Sequence, residues 1–203
     1  MIIECSKFSP REVYPWLGTT IMPRPIAWVA TVSAEGRTNL APFSFFQCVT
    51  SNPPTLLFVP ANDREGKKKD TLRNIEQGRE FVVNTVPFAL AEKMNATAAL
   101  LPYGESEFEK FGIAAAPSVR VRPPRVALAP VAFECTLHSI VHIGEGPLAA
   151  NVVFGSIQLI HIDDAVLGAD GLPDPGKLDL VGRLGGELYT RTTERFALKR
   201  PDR

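Results

Sequence analysis

Residues 26–33, IAWVATVS, string β-branched and aromatic side chains together and predict a strand. Ala34-Glu35-Gly36-Arg37 supplies turn chemistry and extended character resumes over 38–50, so the two runs read as a β-hairpin. Asn52-Pro53-Pro54 stops the second run, and residues 55–59, TLLFV, make a third strand too apolar to be solvated on either face. After the polar stretch 61–69, Asp70-Thr71 precedes LRNIEQ, where Leu72 and Ile75 stand three apart, and Gly78 follows. That predicts a short helix capped at its start by Asp70 and closed by Gly78. Residues 80–86, EFVVNTV, return to strand.

Phe88, Leu90, Ala91, Met94 and Ala98 recur near the helical period within 88–101, and Pro102 ends that segment. Residues 105–111 fit one or two helical turns with Phe108 and Phe111 on one face. Pro117, Pro123, Pro124 and Pro130 make 115–130 irregular or edge-strand territory, and 131–143 and 152–162 predict two long strands. The tail 163–203 reads as mostly loop and carries GRLGGELYTR at 182–191. Six or seven strands with short inserted helices predict a single domain, mainly β, as a closed or nearly closed antiparallel barrel that hides its sheet edges.

Composition narrows the function. The 18 prolines among 203 residues are spread along the chain and disfavour an all-α bundle, against a usual share of ~5%. Lys plus Arg equals Asp plus Glu at 22 each, so there is no global field for nucleic acid, and any phosphate must be met locally. No apolar run approaches the roughly 18 residues of a membrane span, and MIIECSKFSP lacks a secretory layout, so a cytoplasmic protein without a membrane partner is expected. Cys5, Cys48 and Cys135 are odd in number and unpatterned; they are expected to be reduced, buried or half-buried apolar groups.

The common catalytic signatures are missing: neither G-x-G-x-x-G, a Walker loop, H-E-x-x-H nor G-x-S-x-G occurs. Cys135, His138 and His142 would share a face only in a helix; as a strand, the two histidines part from the cysteine, and no metal is expected. Two stretches stand out. Lys69-Asp70-Thr71 lies where a helix begins, so either it is a cap beside a solvated loop, or Lys69 and Thr71 face a phosphate while Asp70 turns inward. Asn39-Leu40-Ala41-Pro42-Phe43-Ser44-Phe45-Phe46 packs three phenylalanines around small polar groups, with a proline that belongs at an edge or bulge. It is either an aromatic core strand or a bulged strand that holds a flat heteroaromatic ring.

Residues 22–59 and 69–86 closely resemble the flavin reductase-like family of FMN-binding split β-barrel proteins. The likeness continues more loosely through Glu107-Phe108-Glu109-Lys110-Phe111, Pro123-Pro124-Arg125-Val126, Phe133-Glu134-Cys135 and Arg183-Leu184-Gly185-Gly186 with Tyr189. The resemblance implies a six-stranded Greek-key split barrel, a homodimer, and FMN near the subunit interface. Carried over by position, Asn39, Leu40, Ala41 and Pro42 would meet the ring rim and ribityl chain, with Ser44, Phe45 and Phe46 continuing the ring pocket. Lys69, Asp70 and Thr71 would lie near the ribityl phosphate, with Lys110 as a second cation. Arg24 and Arg183 are weaker choices, with a surface salt bridge and a dimer contact as their alternatives, and Trp28 is expected in the core. No catalytic residue is named, because the flavin would carry the chemistry. The expected function is hydride transfer from NAD(P)H to flavin, with the electrons leaving on free reduced flavin or to a partner oxygenase. Alternatives are a non-enzymatic FMN electron carrier and an oxidase of pyridoxamine-phosphate type.

Overall fold

The computed structural model describes residues 1–201, so the last two residues of the expected 163–203 tail lie outside the described residues. A seven-stranded antiparallel sheet dominates it. In chain order its strands are β2 (Ala27–Val32), β3 (Thr38–Phe43), β4 (Phe46–Ser51), β5 (Pro54–Phe58), β6 (Glu80–Asn84), β9 (Val131–Ile143) and β10 (Ala150–Ile162). Their order across the sheet is β3-β2-β6-β9-β10-β5-β4. Thus β3 and β4 stand at opposite ends, although only Ser44 and Phe45 separate them along the chain. Three peptide steps reach at most about 11 Å, so the sheet must curl until its edges meet. The Val59 N–H donates to the Phe45 carbonyl at 2.9 Å and fastens that bend.

This corrects the single extended run expected over 38–50: one bent segment serves both edges of the barrel, and the sheet has seven strands, within the six or seven read from the pattern and one more than the resemblance implies. Of the two places expected for Pro42, an edge or a bulge, the structure gives the edge: β3 ends the sheet, and it pairs with β2 in unbroken register from Ala27↔Phe43 to Val32↔Thr38. Pro42 is tolerated because β3 is an edge.

Alternation sends β2 into two cores. Ala27 and Val29 face the barrel interior with Phe58, Phe81, Val83 and Val153, while Ile26, Trp28 and Ala30 face an outer core with Leu40, Met94 and Phe108. Trp28 is wholly buried, as expected, and its Nε1 donates to Thr97 at 2.9 Å. The connection from β5 to β6 carries α2 (Asp70–Gly78), whose Leu72 and Ile75 plug the interior. Two of its caps differ from expectation. Lys69, not Asp70, is the N-cap, and Arg79, at φ 57°, takes the left-handed position expected of Gly78. Gly78 stays inside the helix, where an added Cβ would lie 2.8 Å from Arg122 Nη2.

The outer core is roofed by two short helices, α3 (Ala91–Ala96) and α4 (Glu107–Lys110), shorter than the expected 88–101 and 105–111. A two-stranded ribbon, β7 (Ala115–Ala116) with β8 (Arg125–Val126), completes it. The tail is more ordered than expected: α5 (Pro175–Leu178) precedes β11 (Val181–Arg183) and β12 (Tyr189–Arg191), which form a sheet with β1 (Arg24–Pro25) in the order β1-β11-β12. The helix α1 (Pro10–Thr20) also escaped the sequence reading, although its start carries a capping box between Ser9 and Glu12 with Pro10 at the first turn. Cys135 is buried and burial pushes its thiol up, but Cys5 and Cys48 are exposed, the latter on the edge strand β4, contrary to expectation. Among the described residues no helix is long and apolar enough to cross a membrane.

Candidate functional site

Two hollows meet on the open edge of β3. One, about 170 Å³, is lined by Asn39, Ala41 and Pro42 on β3, by Lys69, Asp70 and Thr71 at the start of α2, by the 97–101 loop, and by Glu107. The other, about 240 Å³, is lined by Tyr14 of α1, Pro42, Phe43, Ser44, Arg183 and Tyr189, among others. Pro42 and Ala98 belong to both walls, so the two form one groove.

The chemistry of the first hollow follows from the helix start. No side chain caps α2, which leaves the first-turn amides of Asp70, Thr71 and Leu72 without intrahelical acceptors. Thr71 is buried, and its Oγ1 accepts from Asn39 Nδ2 at 3.0 Å. That bond occupies the oxygen and leaves the hydroxyl proton free to be donated. Asn39 Nδ2 also reaches Thr31 Oγ1 at 3.2 Å, and Asn74 Nδ2 reaches the same hydroxyl at 3.0 Å. Asn39 therefore sits in a buried amide–hydroxyl network that orients Thr71, a role not foreseen from the sequence.

Lys69 stretches across the ring of Phe43, its Nζ 5.7 Å from the centroid. Its surroundings desolvate the ammonium and pull its pKa down, an effect that Asp63 partly offsets. Asp70 turns not inward but toward Arg73, 3.8 Å away, and burial raises its carboxyl against the pull of that arginine. Opposite, Glu107 is 6% exposed, and its Oε2 accepts the Leu40 N–H at 2.8 Å. By the alternation of an edge strand, Leu40 and Pro42 both aim their backbone nitrogens away from β2. Leu40's hydrogen goes to Glu107 and Pro42 has none to leave unpaired, so neither presents an unpaired amide on this edge. Its side chain, wholly buried, belongs to the outer core.

The remaining expected residues divide. Ser44 lines the second hollow, where its Oγ accepts from Arg24 Nε at 3.3 Å. Arg24 itself is 6% exposed and donates to the carbonyls of Gly18 and Ile21 at 2.5 and 2.8 Å, which ties α1 to the barrel. It makes neither the anticipated surface salt bridge nor a wall of the groove. Phe45 packs outward against Tyr14 at 6.4 Å between centroids, and Phe46 turns toward the barrel interior, so neither lines the groove. Lys110 pairs with Glu105 at 3.2 Å on the exposed side of α4, outside the lining. Arg183 does line the groove and lies over the Tyr189 ring at 4.5 Å.

Tyr14, Glu107 and the 97–101 loop went unnoticed in the sequence as site residues. Only the capping box that announces α1 offered a signal, because the others reach the groove through tertiary packing. Beyond Asn95 and Tyr189, whose hydroxyl donates to Asn95 Oδ1 at 2.9 Å, the second hollow adjoins a further one of about 630 Å³.

The chain resembles known proteins over nearly its whole length. An uncharacterized protein of Deinococcus radiodurans is 43% identical over 195 residues, covering 92% of this chain and 84% of that one. Among solved structures, nitrilotriacetate monooxygenase component B from Bacillus cereus is 31% identical with a TM-score of 0.92, covering 98% of each chain. The 2-nitrobenzoate 2-nitroreductase NbaA of Pseudomonas fluorescens is 32% identical with a TM-score of 0.87, covering 99% of this chain and 96% of its own. The family model for the flavin reductase like domain matches residues 18–175, which hold the barrel and every wall of the groove's first hollow; by that match and the split-barrel architecture, the chain belongs to the flavin reductase-like family.

Proposed function

We propose that the groove binds FMN, and that the protein is a flavin reductase that takes hydride from NADH or NADPH. What carries the reading is the uncapped start of α2: Asp70 and Thr71 with their first-turn amides, a free Thr71 proton and the Lys69 ammonium share one hollow. Those donors fit a phosphate, and the adjoining wall of Pro42, Phe43, Ser44, Tyr14 and Tyr189 fits the face and rim of a flat ring. Bound flavin would supply hydride-accepting chemistry that the side chains lack. The chain's own part is to hold the anionic end at Lys69 and Thr71, to keep the ring against Pro42 and Ser44, and to leave its outer face open toward Asn95 and Tyr189. The hollow behind those two residues gives the nicotinamide donor room to approach.

A cytosolic homodimer is part of the same proposal. Exposed apolar side chains on β4, β9 and the following hairpin, among them Val49, Val141, Ile143 and Leu148, support the pairing of copies. The Bacillus cereus neighbour, a monooxygenase component, supports an oxygenase as the recipient of reduced flavin. The test is anaerobic mixing of the flavin-loaded protein with NADH and with NADPH while the flavin band is followed. Rapid bleaching by one donor, with steady turnover when free FMN is added, is the expected result. Tight flavin that neither donor reduces would replace the reductase with a non-enzymatic electron carrier.

A further inference from the structure

The hollow assigned above to the phosphate contains a carboxyl group that the functional reading leaves unused. Glu107 opens α4 and faces the start of α2 across the hollow, 94% buried by its 6% exposure. It cannot swing aside, because its Oε2 is bonded to the Leu40 N–H at 2.8 Å and Ser106 before it is held to Thr38 by a 2.6 Å hydroxyl contact. The charged groups that share its hollow are Lys69, Lys68, Asp70 and Asp63. Arg73 is drawn to Asp70, Lys68 is engaged by Glu76 at 2.7 Å, and the Glu105–Lys110 pair on Glu107's own segment stays outside the lining. An anion docking on Lys69 and Thr71 therefore meets a buried carboxylate with no ion-pair partner among the described residues, and two like charges in a desolvated space repel strongly.

We propose that Glu107 is a binding residue for the flavin's phosphate end and takes up one proton from solvent as the phosphate docks. The neutral carboxyl keeps its bond from Leu40 and donates its new hydrogen to the phosphate or ribityl oxygen facing it. The proposal rests on the FMN reading. Burial, with Asp70 adding to it, already raises the Glu107 carboxyl, so the protonated form lies within reach before ligand arrives. A protonated carboxylic acid serving as donor in an apolar site is established chemistry in other enzymes.

The sign follows from linkage: an anion that favours protonated Glu107 loses affinity as pH rises through that group's titration in the free protein, at most about tenfold per pH unit. Riboflavin, which has no phosphate, should show no such loss. The experiment titrates wild type and Glu107→Gln with FMN and with riboflavin by flavin fluorescence between about pH 5 and pH 9. Calorimetry of the wild type in two buffers of different ionisation enthalpy accompanies it near pH 7.5, where free phosphate is already dianionic. Expected are an FMN affinity that falls with pH in the wild type and flattens in Glu107→Gln, save for an alkaline loss from Lys69, and a net proton uptake for FMN but not riboflavin.

FMN bound by both proteins with the same pH slope, or bound by the wild type without proton uptake, overturns the inference and leaves the functional reading standing. Failure of FMN to bind at any pH overturns both. If Glu107→Gln does not fold, the calorimetry on the wild type decides alone.

Discussion

Thr71 and Lys69 do different work at one helix start. Thr71 is oriented by Asn39, while Lys69 reaches the hollow over Phe43 and carries its charge at a desolvation cost that an anion would relieve. Lys69→Met keeps the packing over Phe43 and removes the charge. It should weaken FMN by about 1.5–3 kcal/mol, the range of a charge-assisted hydrogen bond, and leave riboflavin unchanged; fluorescence titration of both flavins reads this directly. Equal losses for the two would remove Lys69 from the phosphate. At this scale Lys69 and Thr71 were legible in the sequence, because a helix start announces its own donors. Glu107 and Tyr14 were not, since nothing in the spacing of 105–111 or 10–20 says which distant strand those segments will cover.

Strands and helices were legible wherever one face of an element decides its period. β2, β6, β9 and β10 fall close to the expected runs because their apolar side chains alternate or run unbroken. The bend at Ser44–Phe45 was hidden, because both halves of 38–51 are extended and only the pairing partners differ, β2 on one side and β5 on the other. Gly155 of β10 shows the same dependence on partners. Its register is broken beside Phe154, and a Cβ there would lie 2.3 Å from Phe81 Cζ in the filled barrel interior. Gly155→Ala should destabilise by about 1–3 kcal/mol through overpacking, measured by denaturant unfolding. Unchanged stability would mean that Phe81 has room to move.

Across the whole molecule, one buried carboxylate joins the barrel to its outer roof. Glu134 on β9 is fully buried and accepts the N–H groups of Val119 and Arg120 at 2.8 and 2.5 Å, together with His161 Nε2 at 2.5 Å. Burial alone would raise its carboxyl, but the His161 ring and those amides outweigh burial and hold it below the ordinary glutamate value of 4.5. A depressed carboxyl contributes stability above that value and loses it as pH falls through the folded-state titration. Glu134→Gln should therefore cost about 1.5–3 kcal/mol at neutral pH, and the gap to wild type should narrow below about pH 4. Melting curves across that range provide the check, and a gap that widened in acid would refute the sign. The sequence by itself determined the class of fold, the strands with a strong period and the helix start that offers donors, because alternation, capping and turn chemistry act over a few neighbouring residues. Only the tertiary structure decided that 38–51 closes the barrel, that Phe45, Phe46 and Lys110 stand outside the groove, and that Glu107 and the 181–191 segment complete it. Those outcomes depend on which surfaces meet after the sheet curls, and contacts between residues tens of positions apart leave no local mark.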